Sequence, residues 1–393
     1  MVAVQKFAKS IGLVKTRFLN MNAPVLAVSR RTRRTPLSSR IEALGVGGYT
    51  VYNHMLLATS FGSPVNDYNH LKRNVQLWDV GCERQVQIQG PDAARLVQMM
   101  TVRDLSKSVV GQCLYVPLVD VDGSMINDPV ALKLAEDRYW LSISDSDVLL
   151  WAKGLAYGLG LDVSIDEPNV WPMAVQGPKA DDLMVVIFGE AVRDIRFFRF
   201  AELEFKGHPL NVARSGWSKQ GGFEIYVDDP VIGPELWDAL WDAGQAFDVA
   251  PGCPNLIERV EGGLLSYGND MTREHNPLEC GLDRYCQLDK DFESIGKAAL
   301  VQIQKEGIKR AVRGLKISGD PVSSCVEAWP IHDGNKVVGQ VTTAAYSPDF
   351  ESNLAFAMLD RDHWSPGQIL QALTPDGQTR DAVVSELPFT QDN

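Results

Sequence analysis

The sequence predicts an α+β protein in which two related units, each pairing a helix with an antiparallel sheet, precede an all-β C-terminal domain. The first observation is a repeat: a strand, the pattern Gly-Pro-x-Ala-x-x-Leu and a helix occur within residues 76–100 and again within residues 173–189. The second is a set of alternating segments between and after these repeats, which is typical of antiparallel meanders. The third is residues 308–393, whose short strand-like segments and Asp-Gly and Pro-Gly turns indicate a small barrel.

The first repeat shows the pattern of each element. Val86 and Ile88 alternate with glutamines, which predicts a half-buried strand. Gly90 and Pro91 then turn the chain into a helix that begins near Asp92. The second repeat has the same residue types in the same order, so it predicts the same local structure.

The remaining elements follow in order along the chain. Residues 114–144 predict three strands joined by Asp-Gly and Asp-Arg turns. A second meander begins at Phe197, and a helix is predicted around residues 234–244. Residues 256–265 then place apolar side chains at helical spacing, so a short helix with one buried face is expected before a loop. Arg259 and Glu261 lie off that apolar face, and we expect them to be solvated charges.

Composition excludes several classes of protein. A chain of 393 residues is too long for one ordinary core, and its net charge of −12 argues against a general nucleic-acid or anionic-membrane binder. Its apolar runs are shorter than the ~20 residues that span a bilayer. Six scattered cysteines without a Cys-x-x-Cys pair indicate buried thiols in a reducing compartment, and six histidines without metal-ligand spacing make a metal centre unexpected.

The first 35 residues predict a basic N-terminal arm. No Asp or Glu occurs before residue 42, and the arm ends in the cluster Arg30, Arg31, Arg33 and Arg34. Such a start is compatible with an organellar import peptide, with a disordered arm, or with upstream codons before a true start at Met21. We expect a bacterial cytoplasmic protein, with organellar import left open.

The segment 214–227 is the richest candidate site. Its glycines form a tight loop that leads into a strand on which Glu224 and Tyr226 share one face. Trp217 and Lys219 lie on the approaching loop, so the four side chains could grip a ligand that is aromatic and hydrogen-bonding. The alternative is a surface hairpin with a solvated glutamate.

A second candidate set lies in the first meander. Tyr115 is followed by Asn127 and Asp128 after the Asp-Gly turn, and Ser142 lies on the next strand beside Trp140. Aromatic residues at such positions often belong to the core, and Asn-Asp often serves a turn, so both interpretations stay open.

These segments together resemble the glycine-cleavage T-protein (aminomethyltransferase) family. The shared features are the two Gly-Pro repeats, GSMINDPV, SGWSKQGGFEI, RVEGGLLSYGND, NPLECGL and SIGKAAL, which occur in order along nearly the whole chain. The resemblance implies a three-domain cloverleaf with folate in its central hole and two interleaved α+β domains. It implies residues 36–72 with 171–268 as the first domain, 73–170 with 269–305 as the second, and 306–393 as a barrel-like third.

Within the family, the chain most resembles the branch of demethylases that move a methyl group from dimethylsulfoniopropionate to tetrahydrofolate. Segments such as LWDVGCERQV, YVPLVDVDG and RYWLSISDSD carry this similarity. It implies a small sulfonium substrate and tetrahydrofolate as methyl acceptor, with no metal, no nucleic acid, no membrane and a monomer or homodimer.

The resemblance also implies roles for individual residues. Glu224 matches the carboxylate that binds the pterin ring. Apart from the resemblance, the carboxylate of such a substrate needs a cation, and Lys219 is the candidate. The remaining residues implied for substrate or cofactor are Tyr115, Ser142, Trp217, Tyr226, Asn255 and Arg259.

One departure from the family bears on the chemistry. Aminomethyltransferases carry an acid pair where this chain has Asn127 and Asp128, so one acid has become an amide. A sulfonium expels a neutral thioether, which needs no proton, so in-line positioning can suffice. The alternatives are an aminomethyltransferase, an O-demethylase or a non-catalytic folate-binding protein, and Asn127 counts against the first of these.

Overall fold

The computed structural model describes residues 28–391, which form two open sheets, each covered by helices on one face, and a closed barrel. The predicted α+β class with an all-β C-terminal barrel is confirmed. Most of the basic arm lies outside the described residues. Its last part is attached to the rest of the protein, because Arg33 forms an ion pair with Glu167 and Arg34 forms one of 2.8 Å with Glu42.

The first sheet has six strands in the order β12-β13-β14-β11-β3-β15. The pairs are antiparallel except for β15 with β3, which is parallel. The strands are β3 Val75–Asp79, β11 Trp171–Gln176, β12 Phe200–Phe205, β13 His208–Ala213, β14 Gly222–Val227 and β15 Val249–Gly252. Helices α5 (Ala180–Phe188) and α6 (Ile232–Gly244) cover one face, because their apolar sides pack on the side chains that alternate strand residues send to that face.

The second sheet has five strands in the order β10-β4-β9-β8-β5. The strands are β4 Gln85–Gln89, β5 Cys113–Tyr115, β8 Val130–Ala135, β9 Arg138–Ser142 and β10 Ser164–Asp166. Helices α3 (Ala93–Met100) and α4 (Val148–Leu159) cover one face, and the apolar side chains of β4 pack beneath them. The helix predicted to begin near Asp92 is therefore confirmed.

The region predicted as three strands contains five short ones. Between β5 and β8 the chain leaves the sheet and forms a two-stranded ribbon of β6 (Leu118–Val119) and β7 (Met125–Asn127). Pro117 and Pro129 flank this ribbon, and neither has a backbone N–H to donate to a continuous ladder.

The third unit is a closed barrel in the order β16-β19-β18-β17-β20-β21. Its strands are β16 Arg310–Ile317, β17 Trp329–Asp333, β18 Lys336–Ser347, β19 Ser352–Asp360, β20 Ile369–Leu373 and β21 Thr379–Ser385. Short helix α7 (Leu256–Glu261) packs Ile257 and Val260 against the barrel residues Leu354 and Phe356. The helix predicted over residues 256–265 ends early at Gly262, and its apolar face joins the α+β units to the barrel.

The other elements connect these units. They are α1 Ser38–Ala43, β1 Gly48–Tyr52, β2 Met55–Ser60, α2 Pro64–Leu71, α8 Lys297–Glu306 and the 3-10 helices Glu190–Asp194, Gln245–Phe247 and Asp283–Tyr285.

Strand pairing corrects one expected domain boundary. The expected second domain begins at residue 73, whereas β3 pairs with β11 and therefore belongs to the six-stranded sheet. The chain enters the second unit after residue 79. With that correction we propose the same three-domain division.

The glycine of the second Gly-Pro repeat is required by the local backbone, and this requirement leads to a prediction about stability. Gly177 has φ of +124°, and a Cβ there would lie 2.2 Å from the carbonyl oxygen of Asn74. We expect Gly177→Ala to lower the free energy of unfolding by about 3 kcal/mol, since strain and a backbone clash combine. Urea unfolding measures it. Gly160→Ala is the matched control, because Gly160 is left-handed (φ +64°, ψ +36°) but has no heavy atom near its Cβ, and a cost of about 1 kcal/mol is expected. Equal losses in the two variants would contradict the clash.

Candidate active site

The candidate site lies where the uncovered faces of the six-stranded and five-stranded sheets meet. On β14, Phe223 and Ile225 enter the core beneath the helices, so Glu224 and Tyr226 point to the opposite face, as predicted. Across from them on β9, Trp140 lies with its ring centroid 6.0 Å from that of Tyr226. Both rings belong to one apolar cluster that joins the two sheets.

Glu224 is a buried carboxylate held in a fixed orientation. Only 7% of its surface is exposed, and Ser215 Oγ donates a hydrogen bond of 2.5 Å to its Oε2. Burial raises the pKa of Glu224, while the bond from Ser215 lowers it. A buried and oriented carboxylate is suited to accept hydrogen bonds from the N–H groups of a ligand.

Tyr226 places a buried hydroxyl next to that carboxylate. The tyrosine is 1% exposed, and within residues 28–391 its hydroxyl forms no hydrogen bond of standard geometry, although Glu224 and Ser142 are its polar neighbours. Its neighbour Ser142 accepts a bond of 3.0 Å from Gln85 Nε2, which fixes the serine hydroxyl. A buried hydroxyl without a partner is costly, so a polar group of a ligand is the natural partner for it.

Tyr115 and Asp128 meet on the five-stranded side of the cavity. Tyr115 donates a bond of 3.0 Å to Asp128 Oδ2, and Ser144 Oγ donates one of 2.6 Å to Oδ1. Burial raises the pKa of Asp128 to about 6. The ring of Tyr115 also packs against Tyr285, with a centroid distance of 4.8 Å.

Asn127 performs a structural task. It is fully buried, its Nδ2 donates to Ser144 O at 3.0 Å and to Ser146 Oγ at 2.8 Å, and its Oδ1 accepts from Ser144 N at 3.0 Å. These bonds tie the end of β7 to the residues after β9. The amide therefore aligns the segment that carries Asp128, and it uses its own polar atoms to do so.

Trp217 and Arg259 form one stack. Arg259 donates to Leu264 O, Asp270 Oδ2 and Thr343 Oγ1, each at 2.9 Å. Its guanidinium carbon lies 5.5 Å from the centroid of Trp217, which is a cation–π contact on one face of the indole. Because these bonds already use the guanidinium, we propose that Arg259 holds one face of the Trp217 ring in place and does not bind the cofactor directly.

The structure corrects the expectation that the charges of α7 are solvated. Glu258, Arg259 and Glu261 are all buried. Glu258 Oε1 accepts hydrogen bonds of 2.5 Å from Lys219 N and 3.3 Å from Gln220 Nε2, so it anchors the loop that carries Trp217. Glu261 accepts bonds of 2.9 and 3.0 Å from Tyr68.

Two predicted ligand residues occupy other roles. Lys219 is exposed. Its charged neighbours are Glu258 on α7 and Asp349 in the barrel, and neither of these lies on the two facing sheets. Asn255 caps α7: its Oδ1 accepts from Ile257 N and Glu258 N, and its Nδ2 donates to Pro64 O. We therefore retain neither as a ligand of the substrate or the cofactor.

Sequence reasoning did not single out Glu83. It lies just before β4, where Gln85 Nε2 donates a hydrogen bond of 2.9 Å to the carbonyl oxygen of Glu83 and one of 3.0 Å to Ser142 Oγ. The signal in the sequence is the alternation that places Val86 and Ile88 in the core, because its continuation puts Gln85 and Glu83 together on the opposite face. It gives the face but not the partner strand.

Within residues 28–391, no group of three His, Cys, Asp or Glu side chains could hold a metal ion. No helix in the same range is long and apolar enough to cross a membrane.

The family model for the GCVT N-terminal domain matches residues 39–290, and that for the glycine cleavage T-protein C-terminal barrel domain matches residues 310–391. The chain therefore belongs to the glycine cleavage T-protein family.

Among individual proteins, the chain is 57% identical over 349 residues to the dimethylsulfoniopropionate demethylase of Ruegeria pomeroyi, covering 89% of this chain and 95% of the relative. It is 29% identical to an aminomethyltransferase of Symbiobacterium thermophilum, covering 91% and 97%. The crystal structure of aminomethyltransferase T of the glycine cleavage system from Bartonella henselae superposes with a TM-score of 0.82 at 20% identity, covering 91% and 98%, which confirms the fold.

Proposed function

We propose that this protein is a tetrahydrofolate-dependent methyltransferase. It demethylates dimethylsulfoniopropionate to 3-(methylthio)propanoate and gives 5-methyltetrahydrofolate by direct in-line transfer. The observation that carries the proposal is the 57% identity, over 89% of the chain, to a protein named for dimethylsulfoniopropionate demethylation. The aminomethyltransferases match at about half that identity.

The buried polar groups fit a reduced folate. The carboxylate of Glu224 suits the adjacent N–H donors of a pterin ring, and the unpaired hydroxyl of Tyr226 suits another polar group in the same cavity. When bound, tetrahydrofolate would supply its N5 nitrogen as the nucleophile. The cofactor set that we propose is Glu224 and Tyr115.

The remaining residues of the cavity are the ones that we assign to the substrate. Trp217 offers the indole face that Arg259 leaves open, and this face attracts a sulfonium. Tyr226 and Ser142 offer hydroxyl groups to the polar end of the substrate. Holding donor and acceptor in line lowers the entropic part of the barrier, because two molecules then react as one.

The polar bonds of Asn127 support a sulfonium donor over an aminomethyl donor. Expelling an amine benefits from a proton donor near the leaving nitrogen, and here one family acid is an amide whose polar atoms are all engaged. Expelling a neutral thioether needs no proton, so the loss of that acid costs little. The substrates are small molecules, and we propose a cytoplasmic monomer or homodimer.

The test is turnover by the purified full-length chain. Tetrahydrofolate with dimethylsulfoniopropionate should yield 5-methyltetrahydrofolate and 3-(methylthio)propanoate in equal amounts, measured by chromatography and mass spectrometry. Omission of the folate should stop the loss of sulfonium. A folded protein that binds folate but produces neither product contradicts the proposal, and turnover of an aminomethyl carrier would favour the aminomethyltransferase alternative.

A further inference from the structure

Gln176, the last residue of β11, carries a buried amide to which the proposed function assigns no task. The residue is fully buried, and its Oε1 accepts a hydrogen bond of 2.8 Å from Ser218 Oγ. Its Nε2 donates to the carbonyl oxygens of Ser215, at 3.1 Å, and of Phe223, at 3.3 Å. A primary amide has two N–H donors and one acceptor oxygen, so these bonds use both its nitrogen and its oxygen.

The bonds of Gln176 hold both ends of the short loop segment that carries Trp217. Ser215 precedes Gly216 and Trp217 in the chain, and Ser218 follows them. At Gly216 the loop backbone lies directly against the amide, because a Cβ there would overlap the side-chain atoms of Gln176. Glycine permits this close approach because it has no Cβ. The backbone that carries the indole is therefore fixed against the end of β11.

The same amide aligns the residues around Glu224. Phe223 precedes Glu224 on β14, so the bond to its carbonyl oxygen fixes the strand next to that carboxylate. Ser215, whose carbonyl oxygen accepts the other bond, donates its hydroxyl to Glu224 Oε2 at 2.5 Å. One side chain thus connects the two groups that the proposed function assigns to folate and to the sulfonium, which are Glu224 and Trp217.

Glu258 anchors the same loop to a different part of the protein. It accepts bonds from Lys219 and Gln220, and it lies on α7, whose apolar face packs on the barrel. Glu258 therefore attaches the loop to the barrel side, whereas Gln176 attaches it to the sheet that carries Glu224. The second attachment is the one that sets the spacing between the indole and the carboxylate.

We propose that Gln176 is a positioning residue, which fixes the spacing between the folate-binding carboxylate and the sulfonium-binding indole. This inference rests on the proposed function. Direct transfer requires the folate nitrogen, the methyl carbon and the sulfur in one line, and a displacement of about 1 Å can cost about 100-fold in rate. Each ligand keeps its own contacts when the spacing relaxes. Loss of the amide should therefore lower the rate of transfer much more than the affinity for either ligand.

The experiment compares rate with affinity in Gln176→Met, which removes the amide and keeps an unbranched side chain of similar length. With both ligands saturating, kcat should fall about 100-fold. The dissociation constants of tetrahydrofolate and dimethylsulfoniopropionate should each change less than about threefold, because Glu224 and Trp217 remain available to their ligands. Calorimetry measures each constant with one ligand at a time, so that no turnover occurs.

Asn353→Leu is the matched control, because Asn353 is a buried amide with the same kind of bonds in the barrel. Its Nδ2 donates to the carbonyl oxygens of Ile317, Gly319 and Asp320 at 3.1–3.2 Å. Urea unfolding should show that both variants lose stability, since each leaves buried carbonyl groups without a donor. Only Gln176→Met should lose kcat, and an equal loss in Asn353→Leu would mean that Gln176 acts through stability alone.

A second pair of variants tests the same spacing if Gln176→Met does not fold. Ser218→Ala removes the hydroxyl that bonds Gln176 Oε1, and its kcat should fall about tenfold. Ser218→Thr keeps a hydroxyl and should recover most of that loss. A kcat within twofold of wild type in Ser218→Ala or in a folded Gln176→Met overturns the inference and leaves the proposed function intact, as does a loss of affinity as large as the loss of kcat. Wild-type protein that does not turn over dimethylsulfoniopropionate overturns the proposed function and this inference together.

Discussion

Glu224→Gln is expected to weaken tetrahydrofolate binding about 100-fold, because hydrogen bonds to an ionised carboxylate contribute about 1.5–3 kcal/mol each and the amide replaces one acceptor with a donor. Ser215 Oγ fixes Oε2 at 2.5 Å, so the carboxylate has little freedom to adapt to a different ligand. Glutamine keeps the shape of the side chain, and the loss therefore reports on charge and hydrogen bonding. Calorimetric titration with tetrahydrofolate measures the constant.

The matched control is Glu202→Gln, which makes the same change at an exposed carboxylate on β12 of the same sheet. Its folate affinity should equal that of the wild type. If Glu224→Gln also binds folate with wild-type affinity, the assignment of Glu224 to the pterin ring is wrong, whatever the effect on turnover.

Local periodicity explains why part of the site could be predicted from the sequence. A strand sends alternate side chains to opposite faces, so Phe223 and Ile225 in the core fix Glu224 and Tyr226 on the other face. The two helices that follow the Gly-Pro turns were also predictable from local sequence, because such a turn commonly precedes a helix. These inferences need only neighbours in the chain, and the structure confirms them.

The rest depends on contacts between distant residues. Arg259 is buried because it meets Asp270 and Thr343, which lie 11 and 84 positions away. Glu258 is buried because its acceptor oxygen holds the backbone of Lys219, 39 positions away. Sequence spacing within α7 contains none of this information, so solvated charges were the reasonable expectation, and it was wrong.

Asn255 and Lys219 show a related limit. The resemblance transfers a position from one protein to another, but the partners of that position also have to be present. Asn255 has the right place for a ligand, yet capping the helix uses its oxygen and Pro64 uses its nitrogen. Lys219 is on the right loop, yet its side chain extends over Gly262, where a Cβ would lie 2.8 Å from Lys219 Cδ.

Trp217→Leu is expected to raise the KM for dimethylsulfoniopropionate about tenfold to thirtyfold, because a cation–π contact contributes up to about 2 kcal/mol in a desolvated site. Leucine keeps an apolar side chain but has no π face. One face of the indole already carries the guanidinium of Arg259, so a sulfonium can meet only the other. The dissociation constant of tetrahydrofolate should change little, and steady-state kinetics with direct folate titration separates the two effects.

Trp364→Leu is the matched control, since Arg313 lies 5.8 Å from the centroid of that indole in the barrel, a similar contact away from the cavity. It should leave the KM unchanged. A KM that stays at the wild-type value in Trp217→Leu removes the indole from the substrate site. Equal losses of sulfonium and folate affinity would instead mean that Trp217 acts only through the loop that Glu258 anchors. The ratio of the two losses therefore distinguishes recognition of the cation from maintenance of the fold.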